Sequence, residues 1–271
     1  MLEKSNTILQ NKKGLVLGIA NERSLAWGIA EASSNFGAEL ALTYQNDALK
    51  KRILPLSQKI NSNHIYECDV QKYDLLPSFF KSISEKFGKL DFIVHGIAFS
   101  DKDELKGGYV ETSRENFLMT LEVSCYSFTA VIQNALPYIN DGASLLTLSY
   151  YGAEKVIPHY NVMGVAKSAL ETSVKYLAVD LGRRGIRVNA ISAGPVRTLA
   201  ASGISDFRYI LKWNEYNSPL ERNINLKDVG GAAVYLLSDL SSGTTGEILH
   251  VDGGYNVIGM KNVNAPDISK V

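Results

Sequence analysis

Tyr150, Tyr160 and Lys167 are the side chains whose types and spacing promise chemistry in this chain of 271 residues. Tyr160 and Lys167 close the run Tyr160-Asn161-Val162-Met163-Gly164-Val165-Ala166-Lys167. At 3.6 residues per turn, seven positions return to nearly the same helix face, so both can point into one cleft. The phenol is a neutral donor with an ordinary pKa of about 10, and a nearby ammonium is expected to lower it and to favour charge developing on oxygen. Such a pair suits stabilisation of an enolate. Taken alone, the spacing also fits an ordinary helix on which Lys167 snorkels to solvent.

Other positions supply context. Gly18-Ile19-Ala20-Asn21-Glu22-Arg23-Ser24-Leu25-Ala26-Trp27-Gly28 reads as a turn feeding a helix whose N–H groups and dipole suit a pyrophosphate, although the spacing is not GxGxxG. Gly18 permits the tight turn, Ser24 stands at the helix N-cap, and Gly28 is expected to let the helix approach the sheet. Thr43-Tyr44-Gln45 occupies the place where an acid would bind a ribose 2′-hydroxyl or an arginine a 2′-phosphate. Neither is present, and the uncharged Gln45 favours NADH over NADPH. Asp69-Val70 offers an acceptor beside an apolar seat for adenine, and His95-Gly96-Ile97-Ala98 is small enough for close cofactor approach. His95, inside a strand with no neighbouring carboxylate in sequence, reads as a core histidine rather than a catalyst. Ile191-Ser192-Ala193-Gly194-Pro195-Val196-Arg197-Thr198 can present backbone groups to a carboxamide, while Val251-Asp252-Gly253-Gly254-Tyr255 reads as a structural turn.

These segments need a frame, and the hydrophobic pattern provides one. Apolar runs at 14–19, 38–44, 64–68, 90–97, 144–149, 186–192 and 247–251 read as strands, and helical periodicity marks 25–36, 48–60, 75–87, 114–136, 160–181 and 226–237. The alternation implies βαβ units in an α/β, Rossmann-type doubly wound sheet of seven parallel strands with helices on both faces, one domain over residues 1–271. Ligands on such sheets bind beyond the carboxyl ends of the strands. The stretch 98–113 reads as a loop at the mouth of the site, and 195–221 as an insertion with helical character, a candidate substrate lid.

Bulk properties narrow the classes further. Lys plus Arg number 28 and Asp plus Glu number 28, so no global field gathers nucleic acid or anionic lipid. Cys68 and Cys125 sit in apolar settings, lack metal-ligand spacing and read as buried free thiols of a reducing compartment, with no metal site. Residues 1–13 lack the apolar core of a signal peptide, and no apolar run approaches membrane-spanning length. A soluble cytoplasmic protein is expected.

Together the motifs resemble the short-chain dehydrogenase/reductase superfamily, and within it the divergent branch of bacterial NADH-dependent enoyl-acyl-carrier-protein reductases, over almost the whole chain. Common members place the catalytic tyrosine four residues before the lysine; here that position is Met163, and the tyrosine has moved to Tyr160. Tyr150 stands where the usual serine would, and the glycine loop between Gly18 and Gly28 is stretched as in the branch. Thr43 to Asp47, Leu145 to Tyr150 and Asn189 to Ser202 are also close to its pattern.

The resemblance implies a hydride passing from the nicotinamide to the β-carbon of an enoyl thioester linked to acyl carrier protein, then protonation of the enolate at the α-carbon. Tyr160 would bond the thioester carbonyl, Lys167 the nicotinamide ribose, and Tyr150 would line the acyl pocket. Gly18, Ser24, Leu25, Gln45, Asp69, Val70, Ile97, Val196, Arg197, Thr198, Leu199 and Ala200 would contact NADH, with Ser100 near the substrate. A homotetramer is implied. Two positions depart from the branch: Ala98 replaces a glycine, and Ser100 an alanine. Of the bases that would meet an acidic carrier protein Arg208 and Lys212 remain, beside Ser205 and Tyr209. A ketone or alcohol reductase on the same scaffold is disfavoured by Met163, and a non-catalytic nucleotide-binding module by the joint presence of Tyr150, Tyr160 and Lys167.

Overall fold

The strands are β1 (Lys13–Leu17), β2 (Glu39–Tyr44), β3 (His64–Glu67), β4 (Leu90–His95), β5 (Ile139–Ser149), β6 (Arg187–Ala193) and β7 (Ile248–Val251). They assemble in the order β3-β2-β1-β4-β5-β6-β7 with every pairing parallel, the inner five largely buried and the edge strands β3 and β7 only partly so. The computed structural model describes residues 7–199, 201 and 205–268. Strand order reverses between β1 and β4, which opens a crevice at their carboxyl ends. Helices cover both faces: α1 (Leu25–Asn35), α2 (Asp47–Lys59), α3 (Leu76–Lys86), α4 (Arg114–Leu121), α5 (Ser127–Ala135), α6 (Asn161–Leu181), α7 (Phe207–Asn217) and α8 (Leu226–Leu237). One core layer joins the sheet to α3, α5 and α6 through Phe80, Phe128 and Leu170; the other joins it to α1, α2 and α8 through Ile29, Ile53 and Val229. Among the described residues no helix is long and apolar enough to cross a membrane.

The expected strands and helices all occur, with four informative differences. β5 starts at Ile139 rather than Ser144, because Ile139 pairs with Leu90 before a register shift. The single helix expected over 114–136 is α4 and α5 joined by a wide π turn, Glu122–Tyr126. Within it, Ser124 Oγ accepts the Phe99 N–H at 2.9 Å and donates to the Phe99 carbonyl at 3.0 Å, fastening the loop after β4. Such turns re-aim one side chain out of a helical ladder. Cys125 in this turn is only half-buried, whereas the other unpaired thiol, Cys68, is buried. The fourth difference concerns Gly28, which serves a helix–helix contact and not the sheet. A Cβ there would lie 2.8 Å from Leu226 Cβ, and one at Gly230 would lie 2.7 Å from Ala32 Cβ and 2.8 Å from the Gly28 carbonyl oxygen. The two glycines let α1 and α8 touch backbone to backbone. Gly230→Ala is therefore expected to wedge them apart and lower stability by about 1–3 kcal/mol, read as a lower urea midpoint at unchanged slope.

Candidate active site

Gly18 follows β1 with φ +93°, and a Cβ at that point would sit 2.1 Å from the Gly96 carbonyl oxygen. Only glycine lets the turns after β1 and β4 pass this closely. Ser24 does stand at the N-terminal boundary of α1, but it does not cap the helix. Its Oγ accepts the N–H groups of Ala20 at 3.0 Å and Asn21 at 3.1 Å, closing the loop instead. The start of α1 is thereby left without a side-chain cap, so its positive end remains available to an anion.

The neighbouring strand ends converge on the same crevice. Gln45 Nε2 donates to Asp69 Oδ1 at 3.3 Å, so the uncharged amide after β2 meets the acid after β3, with Val70 buried beside them. His95 is buried in β4, with Nδ1 3.3 Å from Thr147 Oγ1 and Nε2 2.9 Å from Ser127 Oγ. Burial, reinforced by the Lys167 charge, drives its pKa down to about 3, so it stays neutral and structural. Ser100 accepts from Thr120 Oγ1 at 2.8 Å and donates to Asn116 Oδ1 at 3.3 Å.

Tyr160 stands at the boundary of α6, one residue before its first turn, and Lys167 lies two turns on. Both are buried and both line one cleft. The Tyr160 ring packs edge-on against Tyr150, centroids 5.0 Å apart, in an apolar cluster with Leu105 and Met163. Lys167 Nζ donates to the Leu148 carbonyl at 2.7 Å. Four residues on, Glu171 accepts the hydroxyl of Ser149, so consecutive residues at the end of β5 are held by one face of α6.

The expected lowering of the phenol pKa does not occur. Burial, then the neighbouring Tyr150 and the Glu171 carboxylate, push the Tyr160 hydroxyl far above its usual range. Burial likewise raises Tyr150. The same loss of water brings Lys167 down to about 8, opposed by Cys125 and Glu171, and it raises Glu171 against the pull of the Ser149 hydrogen bond. Lys167 does not figure among the influences on the Tyr160 hydroxyl, nor Tyr160 among those on the amine; loss of water comes first for both.

The cleft measures about 1090 Å³ and runs along the row of strand ends. Beyond the ends of β1, β2 and β3, Gly18, Ser24, Leu25, Gln45, Asp69 and Val70 line it. Ile97, Ser100, Tyr150, Tyr160 and Lys167 line the opposite side, with Val196, Thr198 and Leu199 descending from the insertion. Arg197 does not join them: it is exposed and absent from the lining. Ala200 lies outside the described residues. Leu105 and Phe207 also line the cleft, and neither was singled out from sequence. Their signal is slight, an apolar residue in each of two polar stretches. A second dent of about 430 Å³ lies between Asn21 and Glu22 of the loop after β1 and Arg52, Pro55 and Lys59 of α2.

Residues 18–256 match a family described as enoyl-(acyl carrier protein) reductase. The chain belongs to this family. Among curated enoyl-acyl-carrier-protein reductases, NADH-dependent enzyme 1 of Rhizobium meliloti is 62% identical over 268 residues, covering 99% of this chain and 98% of the relative. The corresponding enzyme of Rickettsia typhi is 57% identical over 252 residues, 93% of this chain and 97% of its own. The crystal structure of the Anaplasma phagocytophilum reductase in complex with NAD superimposes with a TM-score of 0.93 at 59% identity, covering 98% of this chain and 99% of that one. The seven-stranded doubly wound sheet of this enoyl reductase is thus the family's fold.

Lys167 provides a test of the electrostatics. Its folded pKa of about 8 lies below the ordinary value of 10.5, so between those limits the unfolded chain binds a proton that the folded chain does not. This group therefore makes stability rise with pH across that window. Lys167→Met is expected to remove that component, measured by urea unfolding of both proteins at a series of pH values.

Proposed function

We propose that the chain reduces the trans-2 double bond of enoyl thioesters carried on acyl carrier protein, with NADH as reductant, in fatty acid synthesis. The observation that carries this is a cleft in which a buried, neutral phenol, Tyr160, faces the same space as the buried amine Lys167.

The residues present fit a dinucleotide. The uncapped start of α1 suits the pyrophosphate, and the Gln45–Asp69 pair beside Val70 suits an adenosine without a 2′-phosphate. Ile97, Val196, Thr198 and Leu199 would flank the nicotinamide, with Ala200 next in the motif, and Lys167 would hold the ribose hydroxyls. NADH, when bound, supplies the hydride.

Tyr160 keeps its proton at any working pH and donates it as a hydrogen bond to the thioester carbonyl oxygen. As negative charge grows there, the bond strengthens, so it favours the transition state over the bound substrate. Exclusion of water by Leu105, Met163 and Tyr150 raises the worth of that single donor. Tyr150, edge-on to Tyr160, walls the acyl pocket and shapes the path by which a proton from solvent reaches the α-carbon of the enolate. Met163 offers no acid beside Lys167, which speaks against keto-group reduction.

The insertion 195–221 acts as the lid, with α7 carrying Arg208 and Lys212 toward the acidic carrier protein. Lys212 also lies 3.8 Å from Glu215, which tempers its charge. A homotetramer is supported by the outer face of α6, where Tyr176 and Val179 are 71% and 79% exposed. The two unpaired thiols suit the cytoplasm.

NADH oxidation with a crotonyl thioester tests the activity, against oxidation only with a ketoacyl thioester or binding without turnover. Tyr160→Phe is expected to cut kcat about a hundredfold while the Kd for NADH, measured by fluorescence titration, stays within about twofold. Equal losses in both would contradict the assigned role.

A further inference from the structure

Tyr160 sits between two non-glycine residues with left-handed backbone, His159 at φ +57° and Asn161 at φ +38°. Such conformations persist where surrounding contacts over-determine them, and both side chains make contacts beyond the turn. Asn161 Nδ2 donates to the carbonyls of Leu105 at 3.2 Å and Gly107 at 2.8 Å, in the loop over 98–113. His159 Nε2 lies 3.1 Å from Asp206 Oδ2. Asp206 stands at the N-terminal boundary of α7, is itself left-handed at φ +57°, and does not use its side chain to cap that helix. Nδ1 of His159 is buried with no partner, so the polar anchorage of the ring is at the Asp206 end.

Each wall of the cleft mouth is thus fastened to a residue adjoining the phenol. Each fastening also seats an apolar side chain on the cleft: Leu105, which accepts from Asn161 and packs with Tyr160, and Phe207, which follows Asp206. We infer that His159 and Asn161 are positioning residues that couple the seating of the two mouth segments over the acyl chain to the placement of Tyr160. The inference rests on the reading of Tyr160 given above. A purely local role, in which these residues serve only to make a tight turn, is the alternative to be separated.

Glycine separates them, because it adopts positive φ without a Cβ penalty and keeps the turn while deleting the side chain. In limited trypsin digestion of the free protein, His159→Gly is expected to speed cleavage at Arg208 and Lys212 about fivefold and leave Lys102 and Lys106 unchanged; Asn161→Gly is expected to do the reverse. Both variants should raise KM for an enoyl thioester about fivefold, with the Kd for NADH within about twofold. Asp206→Asn, which keeps a residue tolerant of positive φ, approaches the first latch from its other side and should open the same two sites as His159→Gly. Unchanged cleavage, or equal opening of both segments by either variant, overturns the coupling, as does a loss of NADH affinity that matches the change in KM. Absence of enoyl reduction in the unsubstituted protein would sink the functional reading, yet the digestion pattern would still report on the latches.

Discussion

A buried ammonium bonded to a strand-end carbonyl, Lys167 on Leu148, is the interaction around which the site is arranged. Taking a cation out of water is costly unless a well-placed acceptor compensates, and the end of a parallel strand offers one. With Lys167 held there, α6 is set at a defined height against β5. Glu171, one turn further along, binds the next residue, Ser149. The strand end that presents Tyr150 and the helix start that presents Tyr160 are therefore referenced to each other through two adjacent anchors. The same ammonium helps keep His95 neutral, so the polar interior behind the site carries one cation and no competing one from that ring.

Dryness also decides the character of the acid. An ammonium near a phenol in water would favour phenolate, but here burial governs both groups, raising the phenol and lowering the amine. The outcome is a hydroxyl that gives a hydrogen bond and keeps its proton. For a reaction in which charge appears on a thioester oxygen only in the transition state, a retained donor in a water-poor site is more useful than a pre-formed anion.

The end of the cleft above β1 follows a different logic. Its shape depends on backbone approach, Gly18 against Gly96, and on Ser24 turning its hydroxyl into the loop instead of onto its helix. A rigid, pre-closed turn with a free helix start asks little reorganisation of a bound anion. The mouth is built oppositely, from two segments attached by a few side-chain contacts.

Strand and helix alternation, the seven parallel strands and the residues at the strand ends were legible in the linear pattern, because burial on both faces of a parallel sheet writes continuous apolar runs and ligands bind beyond the carboxyl ends; the order of the strands across the sheet was not. The Tyr160–Lys167 spacing and the absence of charge at Gln45 were legible for the same local reason. What only tertiary structure decided involves partners distant in sequence: Gly28 facing Leu226, Ser124 fastening Phe99, Asn161 reaching Gly107 and His159 meeting Asp206. The direction of the Tyr160 and Lys167 shifts belongs here too, since desolvation is a property of the assembled volume and not of neighbours along the chain.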